Sequence, residues 1–260
     1  MAQSSSIEWT QSTWNPVVGC RRVSSGCAHC YAERMAKRLA GMARAARARG
    51  ANPGRTANYL GVIDGRGRWT GAVFLGSAAL VDPLAWRLPR TIFVNSMGDL
   101  FYEKVPFDFV ERVFGVMNRC PQHTFQILTK RPGVAAAYSD RLNWTPNIWM
   151  GTSVENASAT HRVAALRATG AHIKFLSAEP LLGPIPRLPL TGIDWVIVGG
   201  ESGPGARPMR PEWVRQIRDR CQAQSVPFFF KQWGGVERKL AGRVLDGRTW
   251  DEVPTTAALR

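Results

Sequence analysis

Acidic residues, histidines and long apolar runs are all scarce in this sequence. Only 19 Asp and Glu residues and four histidines occur among its 260 residues. No apolar run approaches the roughly 18 residues that a membrane-spanning helix needs, which argues against a membrane partner. Residues 1–6 have neither a basic region nor an apolar core, so we expect no export signal and a cytoplasmic protein. Thiols stay reduced in that compartment, and clustered cysteines there are candidate metal ligands or catalysts.

The charge of the chain is one-sided, with a formal net charge of +15. The excess is concentrated in residues 21–68, which contain eleven Lys or Arg residues but only Glu33 and Asp64 as acids. A surface of that sign attracts polyanions and loses affinity for them as salt rises. The segment therefore favours contact with nucleic acid. An acidic protein partner, or an arginine-rich face that is merely solvated, are the alternatives.

The rest of the pattern predicts an α/β fold. A hydrophobic fraction of 45% and a charged fraction of 20% are typical of a globular protein rather than a disordered one. Residues 31–49 have the helical spacing of apolar residues, and residues 50–68 are polar and glycine-rich, which predicts a mobile loop. Apolar runs then alternate with helical patterns: strands at 72–75, 91–95, 124–128, 148–152, 173–176, 195–198 and 228–230, and helices at 106–119, 133–142, 156–169 and 211–224.

Strands that alternate with helices of this length indicate a parallel sheet covered by helices. No dinucleotide-binding fingerprint is present, which favours a partial or closed (β/α) barrel over an open doubly wound sheet. The Asp-Gly pair at 246–247, between short apolar runs, predicts a short C-terminal hairpin. We therefore expect one barrel domain over residues 1–260, with a basic helical insertion at about 31–68.

Polar residues follow most of the predicted strands. Because the chemistry of (β/α) barrels lies at the carboxyl ends of the strands, these residues are candidates for the site. The candidate catalytic residues, which would orient cofactor and substrate, are Asp99, Glu155, Glu179 and Glu201. The candidate cofactor-binding residues are Asn95, Ser96, Lys130, Ser153, Ser177, Gly199 and Gly200. Helix capping alone is an alternative explanation of the polar run at 152–156, because N-caps use the same residue types.

Three cysteines, Cys20, Cys27 and Cys30, form a C-x6-C-x2-C motif just before the predicted helix. Three thiolates can hold three irons of a four-iron cluster and leave the fourth iron open to a small molecule. Zinc is one alternative, although zinc sites usually have four ligands and His29 is the only histidine within the motif. A redox dithiol at Cys27 and Cys30 is another alternative, but it leaves Cys20 without a role. The motif therefore favours an iron–sulfur centre.

Two other pairs of residues, one of tryptophans and one of cysteines, also need an interpretation. Trp9 and Trp14 precede the cysteines, where they either shield the cluster and pack under the barrel mouth or stack on an extruded base. Cys120 and Cys221 stand alone in helical patterns and are expected to be buried as small hydrophobic residues.

Three cysteines on a loop after the first strand of a partial barrel resemble the radical S-adenosylmethionine (SAM) superfamily, whose usual spacing is C-x3-C-x2-C. In that superfamily a glycine-glycine-glutamate motif at the second strand holds the methionine amino group. The sequence Gly199-Gly200-Glu201 is similar to it but lies near the sixth or seventh predicted strand. The resemblance implies a 4Fe-4S cluster on the three cysteines, SAM at the open iron, and an external electron donor.

Nearly the whole chain also resembles a phage-associated family of unassigned function with a three-cysteine motif. The similar blocks are residues 7–20, 25–27, 30–33, 93–101, 128–132, 177–183 and 231–234. This resemblance implies radical-SAM-like chemistry, and by analogy with spore photoproduct lyase it implies a lyase or modifying enzyme that repairs or modifies DNA. Two alternatives remain open: a nucleic-acid-binding module with a structural metal and no SAM chemistry, and a cluster-dependent redox DNA enzyme without SAM.

Overall fold

The protein is described by a computed structural model that covers residues 3–5 and 7–255. It divides into two compact units, Met1–Ile127 and Leu128–Arg260. Both units are built from parallel strands and helices, so the predicted α/β class is confirmed. Over the ranges just given, no helix has both the length and the apolarity that crossing a bilayer requires.

The first unit contains three neighbouring parallel strands and a separate antiparallel pair. In chain order its elements are β1 (Gln3–Ser4), β2 (Ser12–Trp14), β3 (Val17–Val18), α1 (Tyr31–Ala48), β4 (Phe74–Leu75), α2 (Ser77–Leu80), β5 (Thr91–Val94), α3 (Phe107–Asn118) and most of β6 (Thr124–Thr129). Strand β5 lies between β2 and β6 and is parallel to both, while β1 pairs antiparallel with β2. Strands β3 and β4 form the separate pair.

The first parallel strand of this unit is not the one that the sequence predicts. The run at 72–75 was expected to be a barrel strand, but β4 pairs antiparallel with β3 and lies outside the parallel group. The parallel strand is β2, whose Ser12 and Trp14 are buried although the segment is polar in sequence. A strand of three residues is too short to produce a hydrophobic run, so its periodicity is invisible.

The basic segment is packed more tightly than a loop. Helix α1 covers most of the predicted helix, and its buried side is a row of alanines: Ala32, Ala36, Ala40 and Ala43. The residues after it, expected to be a mobile loop, include a 3₁₀ helix over Gly54–Tyr59. Tyr59, Val62 and Ile63 from this stretch share a buried core with Ala32, Ala36 and Ala40. Alanines allow this close approach because they add almost no side-chain volume to the contact.

The second unit begins within β6 and continues the parallel arrangement. Its other elements are α4 (Pro132–Tyr138), β7 (Ile148–Ser153), α5 (Arg162–Arg167), β8 (Ile173–Ala178), β9 (Trp195–Gly199), α6 (Pro211–Ala223), β10 (Phe228–Gln232) and α7 (Arg238–Ala241). Strand β8 pairs with β7 and β9, and β10 pairs with β9, all parallel. Every residue of β7 and β9 is buried, as expected for strands covered on both faces.

Two predicted helices of the second unit are shorter than expected, whereas α6 matches its prediction at 211–224 to within one residue. The pattern at 133–142 is α4 followed by a 3₁₀ turn over Ser139–Arg141. The pattern at 156–169 contains a 3₁₀ turn over Ala157–Ala159 and then the six-residue α5. The side chain of Asn156 caps the 3₁₀ turn over Ala157–Ala159, accepting a hydrogen bond from the backbone of Ser158 at 3.0 Å.

The predicted C-terminal hairpin is present as a tight turn. Asp246 and Gly247 both have positive φ, at 51° and 82°. Leu245 and Arg248 exchange backbone hydrogen bonds across them, at 2.9 and 3.4 Å. Positive φ at both central residues is the geometry of the two-residue turn that Asp-Gly favours.

Candidate functional sites

The three cysteines lie on one loop of the first unit, residues 20–30, which we call the cysteine loop. Cys20 follows β3, Cys27 ends a 3₁₀ turn over Ser25–Cys27, and Cys30 is the N-cap residue of α1. All three are half-buried and none forms a disulfide. Among residues 3–5 and 7–255, no three His, Cys, Asp or Glu side chains converge as a metal site requires. The predicted cluster ligands are thus on one loop, and their joint binding of a metal stays a prediction.

The cysteine loop is held at both ends by the segment that follows β5. At its start, the backbone N–H of Gly19 donates to the carbonyl of Met97 at 3.1 Å, and Gly19 forms a bridge with Gly98. At its end, the Tyr31 hydroxyl donates to the carbonyl of Ser96 at 2.7 Å. Gly19 has a φ of 104°, and a Cβ there would lie 2.3 Å from the carbonyl oxygen of Ala72. The start of the loop therefore requires glycine for two independent reasons.

Three residues after β5 that were predicted to serve cofactor or catalysis make structural contacts in the first unit. Asn95 has a φ of 60°, and its Oδ1 accepts a hydrogen bond from the backbone of Val17 at 3.2 Å. The Ser96 hydroxyl donates to Asn15 at 3.1 Å, and an Asp99 carboxylate oxygen accepts from the backbone of Phe101 at 3.0 Å. These contacts fix the segment that holds the cysteine loop.

Asn95 also has an unsatisfied donor. Its Nδ2 is buried and has no hydrogen-bond partner in the described part of the chain. The orientation of the amide is determined, because Oδ1 already accepts from Val17. A buried donor without an acceptor costs about 1–3 kcal/mol, so this atom is a natural contact for a polar ligand.

A second connection crosses the cysteine loop. Arg22 donates to both carboxylate oxygens of Glu33, which is only 4% exposed, and the backbone of Trp69 donates to the same carboxylate at 3.0 Å. The hydrogen bonds to Glu33 raise the pKa of Arg22, and the Cys30 and Cys27 thiols also interact with its charge. Arg22 thus places a fixed positive charge near two of the three thiols.

Sequence reasoning missed the role of Glu33. It noted this residue only as one of two acids within a basic segment. An acid inside the first turn of an otherwise basic, alanine-lined helix was the available signal, because a buried carboxylate requires a cation nearby. Burial raises the pKa of the Cys30 thiol.

In the second unit, each predicted carboxylate is paired with a cation. Glu155, which is 1% exposed, follows β7 and lies between the Lys130 ammonium at 3.1 Å and the buried Arg162 guanidinium at 2.8 Å. Arg162 also donates to the carbonyl of Ser153 at 2.8 Å. The predicted residues Lys130, Ser153 and Glu155 are therefore brought together, with Arg162 as a further member that sequence reasoning missed.

The carboxylates that follow β8 and β9 are also paired with cations. Glu179 accepts from the Ser177 hydroxyl at 3.2 Å and pairs with the Lys231 ammonium at 2.8 Å. Glu201 accepts from Arg207 through the side-chain Nε at 2.9 Å and the backbone N–H at 3.0 Å. The hydrogen bonds to Glu201 raise the pKa of Arg207, and the charge of Glu155 contributes to that shift. Because β7 to β10 are parallel neighbours, their carboxyl ends lie along one edge.

Gly200 is required by close packing against backbone, and Gly199 lies against the end of the Glu179 side chain. A Cβ on Gly199 would lie 2.6 Å from a carboxylate oxygen of Glu179, and one on Gly200 would lie 1.9 Å from the carbonyl oxygen of Trp233. Beside them, Gln232 donates to the Ser202 hydroxyl at 2.7 Å, while its own Oε1 is buried without a donor in the part of the chain that the structure describes. The Gly199-Gly200-Glu201 sequence thus has a structural explanation. The Oε1 atom of Gln232 is available to accept a hydrogen bond from a ligand.

The tryptophans before the cysteines are core residues of the first unit. Trp14 is 1% exposed, lies 5.7 Å from the Phe125 ring and donates from its indole N–H to the carbonyl of Ala79 at 2.7 Å. Trp9 is buried against Phe93, with ring centroids 4.8 Å apart. Packing is therefore their role in this structure, and neither ring face is available to stack on a base. Cys120 and Cys221 are buried, as predicted.

Residues 4–254 of the chain match one protein family, described as a protein family of unknown function (DUF5131). No curated protein and no solved structure matches the chain.

Proposed function

We propose that this chain, which belongs to the DUF5131 family, is an iron–sulfur enzyme of the radical-SAM type that acts on nucleic acid in the cytoplasm. The observation that carries the proposal is the cysteine loop, in which three thiols outside any disulfide lie on a segment fixed at both ends. The proposal includes the partial (β/α) barrel expected from the sequence and an external electron donor.

Cys20, Cys27 and Cys30 would hold a 4Fe-4S cluster, since three thiolates are the donor set that leaves one iron open. With SAM on the open iron and an electron from the donor, the cofactor would supply the radical that removes a hydrogen atom from the substrate. Arg22, positioned by Glu33, would offset part of the negative charge of the thiolates. Thiolate chemistry is favoured beside such a cation.

The strand ends of the second unit support the binding of a charged, polar molecule. They carry ammonium and guanidinium groups paired with carboxylates, and Gln232 has a buried acceptor without a donor in the described ranges. In the first unit, the buried Nδ2 of Asn95 is a donor without an acceptor in the described ranges.

One observation favours a different function, a nucleic-acid-binding module with a structural metal and no SAM chemistry. Gly199 and Gly200 are explained by contacts with Glu179 and Trp233, so their similarity to the superfamily motif has a source other than cofactor binding. A metal on the cysteine loop would then stabilise the basic segment, since binding to the folded state alone adds stability. A redox DNA enzyme that uses the cluster without SAM is the third candidate.

Anaerobic purification tests the cluster. We expect a brown protein with iron and acid-labile sulfide, and loss of both when any one of Cys20, Cys27 or Cys30 is changed to Ser. The buried Cys120→Ala is the matched control and should keep its iron. A colourless protein with one equivalent of zinc would contradict the proposal.

Cleavage of SAM to deoxyadenosine separates the three candidates. The reduced protein is incubated with SAM, with and without DNA. Cleavage supports the radical-SAM proposal. Binding of DNA that is sensitive to salt and to metal removal, without cleavage, supports the structural-metal module. Turnover of DNA that requires the cluster but not SAM supports the redox enzyme.

A further inference from the structure

Helix α1 has its small side chains inside and its large apolar side chains outside. The alanine row described above is buried, whereas Tyr31, Met35 and Met42 are 49%, 42% and 52% exposed. At 3.6 residues per turn, these three side chains lie within one sector of about 40°, whose centre is roughly 115° around the helix from that of the alanines. Large apolar side chains grouped on a surface mark a contact site rather than an ordinary solvated face.

Basic side chains share this sector. By the same repeat, Arg38 lies between Met35 and Met42, and Arg49 follows at the C-terminal end, both exposed. We call the set Tyr31, Met35, Arg38, Met42 and Arg49 the outer face of α1. Its length is roughly 27 Å at 1.5 Å per residue, enough to follow several nucleotides.

The two acids of the basic segment do not offset this charge. Glu33 is buried in its pair with Arg22. Asp64 accepts hydrogen bonds from the backbone of Arg66 and Arg68, at 2.9 and 2.8 Å. The carboxylates are thus engaged in local structure, and an anionic partner would meet the arginines of the outer face.

The composition of the outer face favours nucleic acid over a membrane or an acidic peptide. Insertion into a bilayer would bury Arg38 together with the methionines on either side of it, at the cost of desolvating a charge. The Tyr31 hydroxyl is bonded to Ser96, which holds the ring beside the cysteine loop with half of its surface exposed. Proteins hold the bases of single-stranded nucleic acid by stacking them on aromatic rings that lie on a positively charged surface.

We propose that the outer face of α1 binds a single strand of nucleic acid, with its arginines on the phosphates and the Tyr31 ring stacked on a base next to the cysteine loop. This inference rests on the nucleic-acid partner of the proposed function and names the surface that binds it. It also directs a base toward the loop where the proposed chemistry takes place.

The test measures binding of a fluorescein-labelled 15-nucleotide thymidine strand by anisotropy over a range of salt concentrations. The double variant Arg38→Gln, Arg49→Gln should weaken binding at least tenfold and lower the slope of log K against log salt by about 1.4, at about 0.7 per phosphate contact. The matched control is Arg112→Gln, Arg119→Gln, which removes the same charges from a mid-helix position and the C-cap of α3. If both pairs cause the same loss, net charge alone explains binding and the proposal is wrong.

Variants at Tyr31 test the stacking. Tyr31→Phe keeps the ring and loses the hydrogen bond to Ser96, whereas Tyr31→Leu keeps an apolar side chain and loses the aromatic face. We expect Tyr31→Phe to bind within about threefold of the unchanged protein and Tyr31→Leu to bind about tenfold more weakly. Equal affinity of Tyr31→Leu and Tyr31→Phe would overturn the stacking.

Two further arms separate this proposal from its alternatives. The triple variant Cys20→Ser, Cys27→Ser, Cys30→Ser cannot hold the proposed cluster, but it should still bind the strand with the same dependence on the two arginines. Absence of iron from the unchanged protein would then overturn the proposed function and leave the binding surface standing. Loss of binding by this variant would overturn the surface. Polyglutamate and anionic phosphatidylserine vesicles are the competing probes. If the protein binds either probe more tightly than the thymidine strand, and the variant Arg38→Gln, Arg49→Gln weakens that binding, nucleic acid is not the occupant of this surface.

Discussion

The two units treat their charged residues in opposite ways. At the strand ends of the second unit, Glu155, Glu179 and Glu201 are each paired with cations at hydrogen-bond distance. In the first unit, α1 turns its cations outward, and the one acid in that helix is buried under Arg22. Charges paired with one another define a local geometry, whereas charges directed to solvent define a field. The second unit therefore fixes its charged groups against one another at the strand ends, whereas helix α1 of the first unit presents positive charge to solvent.

The largest expected effect is a loss of stability, and it tests whether the strand ends of the second unit are rigid, as their paired charges imply. Gly200→Ala would place a Cβ 1.9 Å from the Trp233 carbonyl oxygen. We expect a loss of more than about 3 kcal/mol in the free energy of unfolding, measured by urea denaturation, because backbone would have to move. The control is Gly115→Ala in α3, where a Cβ has nothing within 4 Å. That variant should gain about 0.5–1 kcal/mol, and equal effects of the two variants would contradict close packing.

The next effect tests the paired charges. Glu155→Gln leaves the buried Arg162 and the Lys130 ammonium without their carboxylate. We expect it to lower the free energy of unfolding by about 3 kcal/mol, since an uncompensated buried cation is costly. The exposed pair of Arg55 and Asp82 in the first unit is the comparison, and Asp82→Asn should cost less than about 1 kcal/mol. Similar losses in both variants would remove the contrast between the units.

A smaller effect tests the one buried acid of the first unit. Glu33→Gln weakens the hold on Arg22 and should cost about 1–2 kcal/mol, because hydrogen bonds to a charged group are lost. The sharper measurement is the rate at which Cys27 and Cys30 react with iodoacetamide, which we expect to change several-fold as the charge of Arg22 moves. Asp108→Asn, an exposed acid in the first turn of α3, is the control and should leave both rates unchanged.

The smallest effect concerns the surface carboxylate of Asp246 in the second unit, which is paired with two arginines. Hydrogen bonds from Arg215 and Arg218 lower the pKa of Asp246 to about 2. A lowered pKa stabilises the folded state fully above the ordinary value of 3.8, and this contribution is lost as the pH falls towards 2. Asp246→Asn should therefore flatten the dependence of stability on pH between about 4 and 2. Superimposable curves for the variant and the unchanged protein would show that the pairing has no effect.

The strands of the second unit were predictable from the sequence, and the reason is their burial. Strands such as β9 are covered on both faces and read as uninterrupted apolar runs. The first parallel strand was not predictable, because β2 has three residues and two of them are polar. Its Ser12 is buried through partners that lie far away in the chain, which no local pattern reveals.

The candidate site was predictable only as a set of residue types. Position after a strand identified Glu155, Glu179 and Glu201, and the parallel neighbours bring their ends to one edge. The partners could not be inferred, since Arg162 reaches Glu155 from a helix that was expected to be longer, and Lys231 lies 52 positions after Glu179. Pairing depends on distance in space, which spacing along the chain does not give.

The two-ended attachment of the cysteine loop has a consequence for how the protein matures. Its ends are joined by hydrogen bonds of the polypeptide itself, at Gly19 and at Tyr31. The entropy of closing this loop is therefore lost when the chain folds, before any metal arrives. The cluster that we propose would therefore enter a loop whose ends the folded polypeptide has already joined.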